Sequence, residues 1–419
     1  MLNELFPRAH VRYAAPPLLG TIADGFAAWL VRQGYTRRSL RLQLRALQRV
    51  DRHLRCRRGL RHLREVTRAE LRACAAAGSS RDPQLASTAH AVERYLAAEH
   101  ALPPPAPEPP TRTATQLAVY ATYLHDVRGL QPVTRRQHLR TAAELLAHLT
   151  YEDTPTRLAA LTASDLEAFV GGCGRRLSRA TLQHTVAQLR AFLRFLGVHG
   201  VLRPGLETQL DTPRCYRGEQ LPRALPWRTV RAFLRAIDRT SQLGLRDYTM
   251  FFLVATYGLR TSEIVALTLD DVDWRGSRLR VPAGKTGTPR LLPLAEMAGT
   301  VLLRYLRRGR PSLPYRELFL RGRAPVGVLK PTAVTEAFQK WVRRSGLDIP
   351  WQGPHCLRHS YAVHLLRRGV ALKTIGDLLG HRIAESTCVY LRLAVDDLRG
   401  VALALPSARA AGQSGEGRT

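Results

Sequence analysis

A short proline-rich segment divides this chain and limits what either side of it can fold into. Residues 103–110 read PPPAPEPP, with six prolines in eight positions. Proline lacks the backbone N–H that helices and sheets need, so neither element continues through this segment. An extended polyproline spacer of this length reaches about 25 Å, at ~3.1 Å per residue. The sequence therefore predicts separate folded units before and after the spacer.

The stretches on the two sides of the spacer resemble each other. VTRAEL begins at residue 66 and LTASDL at residue 161, an offset of 95 residues. Apolar periodicity predicts four or five amphipathic helices in each stretch, with Thr67 and Thr162 as N-caps. Any two small helical bundles share some spacing of this kind, so chance likeness stays open beside the favoured interpretation, duplication of one helical module.

Charge narrows the class of partner. The 419-residue chain is 45% apolar, as a folded protein requires, and its formal net charge is +31. Such an excess of positive charge predicts a polyanionic partner, most simply nucleic acid. A membrane surface is the rival polyanion, but no apolar run approaches the roughly 18 residues of a spanning helix. We therefore expect no membrane association.

The cysteines and the start of the chain bear on its compartment. Six cysteines are scattered without C-x-x-C pairs, which favours reduced thiols over disulfides or a zinc site. Residues 1–20 lack a basic region followed by an apolar core, so no signal peptide is expected. We expect a bacterial cytoplasmic protein, associated with the nucleoid, that uses neither a metal nor another cofactor.

An arginine follows a predicted helix end in the last third of the chain. Gly258 is suited to end an apolar helix in the left-handed conformation, and Thr261 or Ser262 is expected to cap the next helix. Arg260 then lies at a rigid junction beside free backbone N–H groups, where phosphate binds well. Glu263 is placed to orient Arg260. An arginine at a turn is more often an ordinary surface residue, so this pattern alone is weak.

A lysine stands at the tip of a predicted hairpin. Of 64 lysine and arginine residues only four are lysines, and residues 278–294 read as two strands around a GKTGT turn that carries Lys285. Lysine can donate a proton, whereas arginine effectively stays charged, so Lys285 is a candidate acid. The turn lacks the G-x-x-x-x-G-K-[ST] spacing and the following helix of a phosphate loop, so nucleotide binding is rejected.

The segment GPHCLRHSYAVHLL supplies a histidine and a second arginine. Pro354 favours a helix start, and His355 and Arg358, three residues apart, project from one helical face. H-x-x-R is a weak motif alone. His359 and His364 in the same segment are interpreted as structural.

The segment TIGDLLGHRIAESTCVYLRL completes the set. Gly380 ends a short helix and His381 emerges just past it, while Tyr390 lies nine residues later on a segment capped by Ser386 or Thr387. A tyrosine this late in a chain is ordinarily a half-buried core residue. Here an L-G-H sequence is followed by a T-x-x-Y sequence that ends at Tyr390, and this combination favours a nucleophile instead.

In this order, the segments resemble those of the tyrosine recombinase, or phage integrase, family. The likeness covers residues 111–400 and rests on G-L-R-x-x-E, the hairpin lysine, H-x-x-R followed by HSYAVHLL, and L-G-H followed by T-x-x-Y. The resemblance implies cleavage and rejoining of DNA through a 3′-phosphotyrosyl intermediate, without metal or ATP. The implied catalytic residues are Arg260, Lys285, His355, Arg358, His381 and Tyr390.

The resemblance also gives these residues roles. The two arginines would hold the non-bridging phosphate oxygens with fork-shaped donors. Tyr390 would attack phosphorus, and since an unperturbed phenol has a pKa of about 10 it needs a base, plausibly His355, or help from the arginines. Lys285 would protonate the 5′-oxygen leaving group. His381 would support the phosphate or transfer protons.

The expected fold is mainly α with a mixed α/β C-terminal domain. Two helical N-terminal DNA-binding modules would precede a tyrosine recombinase catalytic domain that contains a small antiparallel sheet. The segment WRTVRAFLRAI is expected to form the first helix of this catalytic domain. The implied partner is double-stranded DNA. The resemblance implies that a homo-oligomer, from a dimer to a tetramer, binds this DNA, alone or together with related recombinases. The predicted boundaries are 1–102 for the N-terminal module, 103–110 for the first linker, 111–202 for the core-binding domain, 203–224 for the second linker, 225–400 for the catalytic domain and 401–419 for the tail.

Three functions remain open from the sequence. The favoured one is a site-specific recombinase or integrase of a mobile element. A type IB topoisomerase-like enzyme shares the chemistry but acts as a monomer. A DNA-binding architectural protein with a decayed active site is the third, and the intact catalytic residue types argue against it. The apolar stretch 401–405 would dock into a neighbouring subunit or fold back on its own domain.

Overall fold

The protein is mainly helical, as the sequence predicts, and its described residues contain two small antiparallel sheets in the C-terminal part, where one was expected. The chain divides into two compact units, residues 104–220 and residues 1–103 together with 221–419. The computed structural model describes residues 1–79, 82–102, 110–214, 221–284 and 289–393.

Six helices form an N-terminal bundle with its own core. Their starts follow from side-chain caps: Thr36, Thr67 and Asp82 each accept a backbone N–H from three residues further on, which stabilises a helix N-terminus by roughly 1 kcal/mol. Leu44 and Phe26 are fully buried inside the bundle. The helices are α1 (Leu2–Leu5), α2 (His10–Ala14), α3 (Ala23–Arg32), α4 (Arg37–Arg58), α5 (Arg68–Gly78) and α6 (Pro83–Ala98).

The second unit is a bundle of five helices. Its leucine-rich core contains an aromatic cluster, in which the Tyr120 ring centroid lies 4.8 Å from that of Phe192 and 4.8 Å from that of Phe195. Helices begin at 37 and 68 in the first bundle and at 132 and 163 in the second, which repeats the offset of the sequence pattern. The helices are α7 (Arg112–Asp126), α8 (Pro132–His148), α9 (Thr156–Ala159), α10 (Ala163–Gly174) and α11 (Arg179–Val198).

The C-terminal domain combines helices with the two sheets. Its first helix coincides with the predicted WRTVRAFLRAI segment, and Val230 and Phe233 of that helix are fully buried in the domain core. The helices are α12 (Trp227–Ala236), α13 (Gln242–Tyr257), α14 (Thr261–Ala266), α15 (Glu296–Arg308), α16 (Pro331–Ser345), α17 (His355–Leu366), α18 (Leu372–Leu379) and α19 (Glu385–Cys388). The strands are β1 (Val272–Asp273), β2 (Arg278–Val281), β3 (Arg290–Pro293), β4 (Leu320–Arg321) and β5 (Gly327–Val328).

The larger sheet contains the predicted hairpin. Strands β1, β2 and β3 are antiparallel neighbours in that order, and Leu279 of β2 is paired with Leu292 of β3. Both leucines face the core, so the alternation of apolar residues fixes the register.

The N-terminal bundle touches the C-terminal domain within their shared unit. The backbone N–H of Val326, between β4 and β5, donates to the carbonyl of Gln33 at 3.1 Å. Gly34 has φ of +78°, and a Cβ there would lie 2.7 Å from Val326 Cγ1. The helices before the proline spacer thus pack on the last domain of the chain, which the linear order of the sequence does not reveal.

The described ranges contain neither a candidate membrane span nor a candidate metal cluster. No helix there is long and apolar enough to cross a membrane, and no group of three or more histidine, cysteine or acidic side chains has the geometry of a metal site. The five cysteines in those ranges are free thiols.

Candidate active site

Arg260 lies at a junction between two helices, as predicted, but the cap differs from the prediction. Gly258 ends α13 with φ of +63°. Helix α14 begins at Thr261, so its N-cap residue is Arg260, and the expectation that Thr261 or Ser262 caps it is wrong. The Glu263 carboxylate accepts the Arg260 backbone N–H at 2.9 Å. Glu263, the third residue of the helix, thereby satisfies the N-cap backbone N–H, as the acidic residue of a capping box does.

The Glu263 carboxylate bridges two guanidinium groups. One oxygen accepts from Arg260 Nη1 at 2.7 Å and the other from Arg290 Nη2 at 2.7 Å. Glu263 is 2% exposed, and burial acts to raise its pKa, but the Arg260 N–H and the two positive charges outweigh burial and lower the pKa. The carboxylate is therefore ionised and orients Arg260, as the sequence predicted. Arg290 is an addition that sequence reasoning missed.

Three consecutive backbone carbonyls at the end of α18, those of residues 378–380, each accept from a different arginine. We call them the carbonyl triplet. Arg290 Nη1 donates to the first at 2.6 Å and Arg358 Nη2 to the second at 2.7 Å, while Arg260 Nη2 donates to the third at 3.3 Å. A helix C-terminus carries partial negative charge, so it attracts cations. The triplet gathers both predicted phosphate-binding arginines at one point.

Arg358 is the most deeply buried of these arginines. Its side chain comes from the first turn of α17, is 2% exposed, and also donates through Nη1 to the Gly258 carbonyl. Burial, and then the nearby charge of Arg260, lower its pKa to about 10. The guanidinium is still charged near neutral pH. An anion entering this space would meet two clustered cations in a region of low dielectric.

Tyr390 lies next to the arginines and is almost completely buried. It is 2% exposed and sits on a 3₁₀ turn, Val389–Leu393, that follows α19. The prediction that Ser386 or Thr387 caps this segment is wrong, because both lie inside α19. Burial raises the pKa of Tyr390, while the charges of Arg358 and Arg260 act in the opposite direction. The phenol is therefore protonated and needs a partner that can take its proton.

Among the described residues, the side chain within hydrogen-bond distance of the phenol is His359. Its Nδ1 lies 3.1 Å from the Tyr390 hydroxyl, a contact that the interpretation of His359 as a structural residue did not include. Burial first, and then the neighbouring His355 and Arg358, lower its pKa to about 3. The ring is thus neutral, and in the tautomer that carries its proton on Nε2 the Nδ1 atom can accept the phenolic proton. His359 is four residues after His355, a spacing that places both on one helical face and was visible in the sequence.

His355 and His364 occupy different surroundings on the same helix. The His355 ring makes an edge contact with the His359 ring, with centroids 4.5 Å apart. It is exposed at the first turn of α17, yet the protein around it and the charges of Arg358 and Arg260 lower its pKa. His364 stacks on Trp227 at 4.1 Å and is a packing residue, as interpreted.

His381 follows the end of α18, as predicted. Gly380 ends that helix with φ of +64°, and His381 Nδ1 lies 2.8 Å from the Thr387 hydroxyl. Its ring is nearly parallel to that of Tyr390, with centroids 6.4 Å apart. Burial first, and then Arg358 and Arg260, lower its pKa to about 4. His381 is therefore neutral near neutral pH and able to donate or accept a hydrogen bond.

The predicted hairpin lysine, Lys285, lies outside the described residues. The last described residue before it is Gly284, where a Cβ would lie 3.2 Å from Glu263 Oε1. The loop thus leaves β2 directly beside the carboxylate that orients Arg260. Lys285 remains a prediction.

Comparison with known proteins shows the family of the chain. Residues 224–396 match the model of the phage integrase family, and residues 117–199 match that of the phage integrase N-terminal SAM-like domain. A putative integrase/recombinase of Sinorhizobium fredii is 32% identical over 94% of this chain and 92% of its own length. The tyrosine recombinase XerD of Listeria monocytogenes is 30% identical over 63% of this chain and 89% of its own length. Among solved structures, a lambda integrase dimer bound to a core site aligns with a TM-score of 0.53 at 18% identity, covering 66% of this chain and 94% of that one.

The fold and the match to these models define an enzyme of the class that breaks and rejoins DNA strands with a tyrosine nucleophile. The chain belongs to the phage integrase family of tyrosine recombinases. The relative from Sinorhizobium fredii extends across nearly the whole chain, so the residues before the spacer belong to an architecture that this relative shares.

Proposed function

We propose that this protein is a site-specific recombinase that cleaves double-stranded DNA with Tyr390 and rejoins it through a 3′-phosphotyrosyl intermediate. The observation that carries this assignment is the burial of the Tyr390 phenol among Arg260, Arg358 and two histidines of the same chain. A buried tyrosine of the core does not need such neighbours. A nucleophile that attacks an anionic phosphodiester does, because the transition state carries more negative charge than the phenol.

The proposed roles follow from the contacts. Arg260 and Arg358 bind the non-bridging oxygens with the N–H groups that remain after their contacts with Glu263 and the backbone. Each guanidinium has five N–H donors, so a protein contact at each terminal nitrogen leaves donors for phosphate. Since these contacts fix the two forks before DNA arrives, little reorganisation is needed when charge develops on phosphorus.

The proton of Tyr390 goes first towards His359. Nδ1 of that histidine is the acceptor nearest to the phenolic oxygen, whereas His355, the base that the family resemblance suggests, contacts His359. A ring with so low a pKa holds a proton poorly. The negative charge of a bound phosphate raises the pKa of nearby histidines, so DNA itself would make this pair a better acceptor.

Lys285 completes the proposed cycle as the acid that protonates the 5′-oxygen. His381, hydrogen-bonded to Thr387, supports the phosphate from the side of the tyrosine ring. The phosphotyrosine conserves the energy of the broken bond, so rejoining consumes neither ATP nor a metal-bound nucleophile.

The partner is double-stranded DNA and the working form is a homo-oligomer on it, in which related recombinases can take part. The net charge of +31 suits a polyanion, and the lambda integrase of known structure is a dimer on a core site. We further propose a cytoplasmic, nucleoid-associated location, a mobile-element role, and that residues 1–102 are a duplicate of the core-binding module at 111–202.

The test uses a nicked DNA substrate that loses a short fragment after cleavage and so traps the covalent complex. Tyr390→Phe should abolish the covalent complex on a denaturing gel and leave DNA affinity unchanged, because only the phenolic oxygen is removed. Tyr305→Phe is the matched control, since Tyr305 is a fully buried tyrosine packed on Phe319. A covalent complex that persists in Tyr390→Phe would refute the assignment.

A second measurement separates recombination from topoisomerase activity. The same protein is incubated with two supercoiled plasmids, one with and one without paired target sites. Recombinant products that require the sites are expected. Relaxation of both plasmids at equal rates, without recombinants, would favour a topoisomerase instead.

A further inference from the structure

Arg290 is not among the six residues expected to act in catalysis, but it contacts two of the elements that hold them. It is the first residue of β3, and its side chain is 11% exposed. One terminal nitrogen donates to Glu263 of α14 and the other to the Leu378 carbonyl of α18. A single side chain thus joins the hairpin, the Arg260 junction and the helix that precedes His381.

The Arg290 side chain packs closely against the backbone at Gly380. A Cβ on Gly380 would lie 3.0 Å from both Cδ and Nε of Arg290, so the arginine stem runs directly against the backbone that leads to His381. Gly380 also has φ of +64°, a conformation that glycine adopts at little cost. The position of His381 therefore depends on a backbone that Arg290 both touches and binds.

The charges explain why an arginine is needed there. Glu263 is buried, and its two oxygens are divided between Arg260 and Arg290. Without Arg290 the oxygen that it contacts keeps only the Arg260 backbone N–H. A buried carboxylate then loses one of its two cationic partners, which is strongly unfavourable. The carboxylate would then turn or take up a proton, and in either case the Arg260 fork would lose its fixed support.

We propose that Arg290 is a positioning residue for DNA cleavage: it holds Glu263 in place for Arg260, and it holds the end of α18 in place for His381. The proposal rests on the function proposed above. Arg290 acts through these two residues and makes no contact with DNA.

The test compares Arg290→Met and Arg290→Lys with the full-length protein on the nicked substrate. The single-turnover rate of covalent complex formation at saturating protein should fall at least tenfold in Arg290→Met. Arg290→Lys should be intermediate, since it keeps the charge but not the two-pronged fork. DNA affinity should stay within about twofold, with an unchanged slope of log affinity against log salt, because no phosphate contact is lost.

Arg246→Met is the matched control for loss of stability. Arg246 has the same 11% side-chain exposure in the same domain, with Asp247 and the Leu320 carbonyl as partners. It should cleave at the wild-type rate at any temperature where it is folded. Equal rate losses in the two methionine variants, at equal folded fraction, would overturn the proposal.

A double variant tests the route of the effect. If Arg290 works through Glu263, then adding Glu263→Gln to Arg290→Met should cost little more than Arg290→Met alone, because residues of one network are not additive. Fully additive losses, a wild-type rate in Arg290→Met, or a smaller salt slope would each contradict it. Failure of the wild-type protein to form any covalent complex would instead contradict the proposed function.

Discussion

Replacing Gly258 by alanine tests how closely the end of α13 packs against the helix that precedes His381. Gly258 has φ of +63°, and a Cβ there would lie 2.4 Å from Leu379 Cδ2 and 2.9 Å from Tyr361 Cδ1. Its carbonyl accepts from Arg358, and Arg260 follows two residues later. The substitution therefore disturbs the junction that carries both arginines.

The magnitude has two parts. An alanine in the left-handed conformation costs about 1–2 kcal/mol, and the overlap with two packed side chains costs about 1–3 kcal/mol more. Gly346→Ala isolates the first part, because Gly346 also ends a helix of this domain with φ of +64° but has no neighbouring atom within 4 Å. Gly258→Ala should thus lower the free energy of unfolding by about 2–5 kcal/mol, and Gly346→Ala by only about 1–2 kcal/mol.

Urea unfolding followed by tryptophan fluorescence can measure the difference. Four of the five tryptophans belong to the C-terminal domain, so the signal reports mainly on that domain. With m of about 1–3 kcal/mol per molar urea, the two midpoints should differ by roughly 1 M. The rate of covalent complex formation should fall in Gly258→Ala only, at urea-free conditions where both variants are folded. Equal midpoints would show that Leu379 and Tyr361 do not crowd Gly258, and would refute the packing argument.

Three further predictions concern proton transfer, DNA affinity and pH. Lys285→Arg should slow cleavage although charge is kept, and a 5′-thiol leaving group, which needs no protonation, should restore it; without such rescue Lys285 would be a phosphate-binding residue. A chain that begins at Thr111 should show a smaller slope of log DNA affinity against log salt concentration, because the removed module has many arginines. If the slope stays unchanged and self-association is lost, the module binds protein instead of DNA. In the folded protein the pKa of His381 is about 4 and that of His359 is about 3, both below the ordinary value for histidine. The unfolded chain therefore binds more protons than the folded chain at mildly acidic pH. The free energy of unfolding should thus fall as pH drops from about 6.5 towards 4. His359→Gln should reduce this acid destabilisation in urea titrations at several pH values, and an unchanged pH dependence would contradict the low pKa of the buried His359 ring.

The sequence predicted elements best where a local rule decides the structure. Thr67 and Thr162 are helix caps because a hydroxyl can accept a backbone N–H from the first turn. Gly258 and Gly380 end helices because glycine tolerates positive φ. The hairpin of β2 and β3 follows from alternating apolar residues around glycines. Each of these signals lies within a few residues of the feature it determines.

Features that depend on distant parts of the chain were not predictable in this way. Arg290 meets Glu263, 27 residues away, and Leu378, 88 residues away. In a chain with 64 lysine and arginine residues, nothing local distinguishes this arginine from the exposed ones. The His359 contact with Tyr390 likewise joins residues 31 positions apart. Only the fold brings such pairs together.

The arginines of the N-terminal bundle illustrate the same limit. Arg37, Arg38, Arg41 and Arg45 lie on α4, in the module whose arginines we predict to contribute to DNA affinity. Arg37 donates to the Leu5 carbonyl at 2.6 Å, and both Arg37 and Arg41 lie over the Phe6 ring. Two of the four therefore also hold the bundle together, and their removal would affect its stability as well as any affinity for DNA.

The carbonyl triplet has a consequence for how related sequences can diverge. Its acceptors are main-chain atoms, which every amino acid supplies, so exchange of a side chain at position 378 removes no acceptor. The neighbouring position is restricted only by the packing of Leu379 in the core, where it is fully buried. Side chains next to the reaction centre can therefore differ between related sequences. The carbonyls that hold the arginines depend only on the path of the backbone, so their geometry is retained.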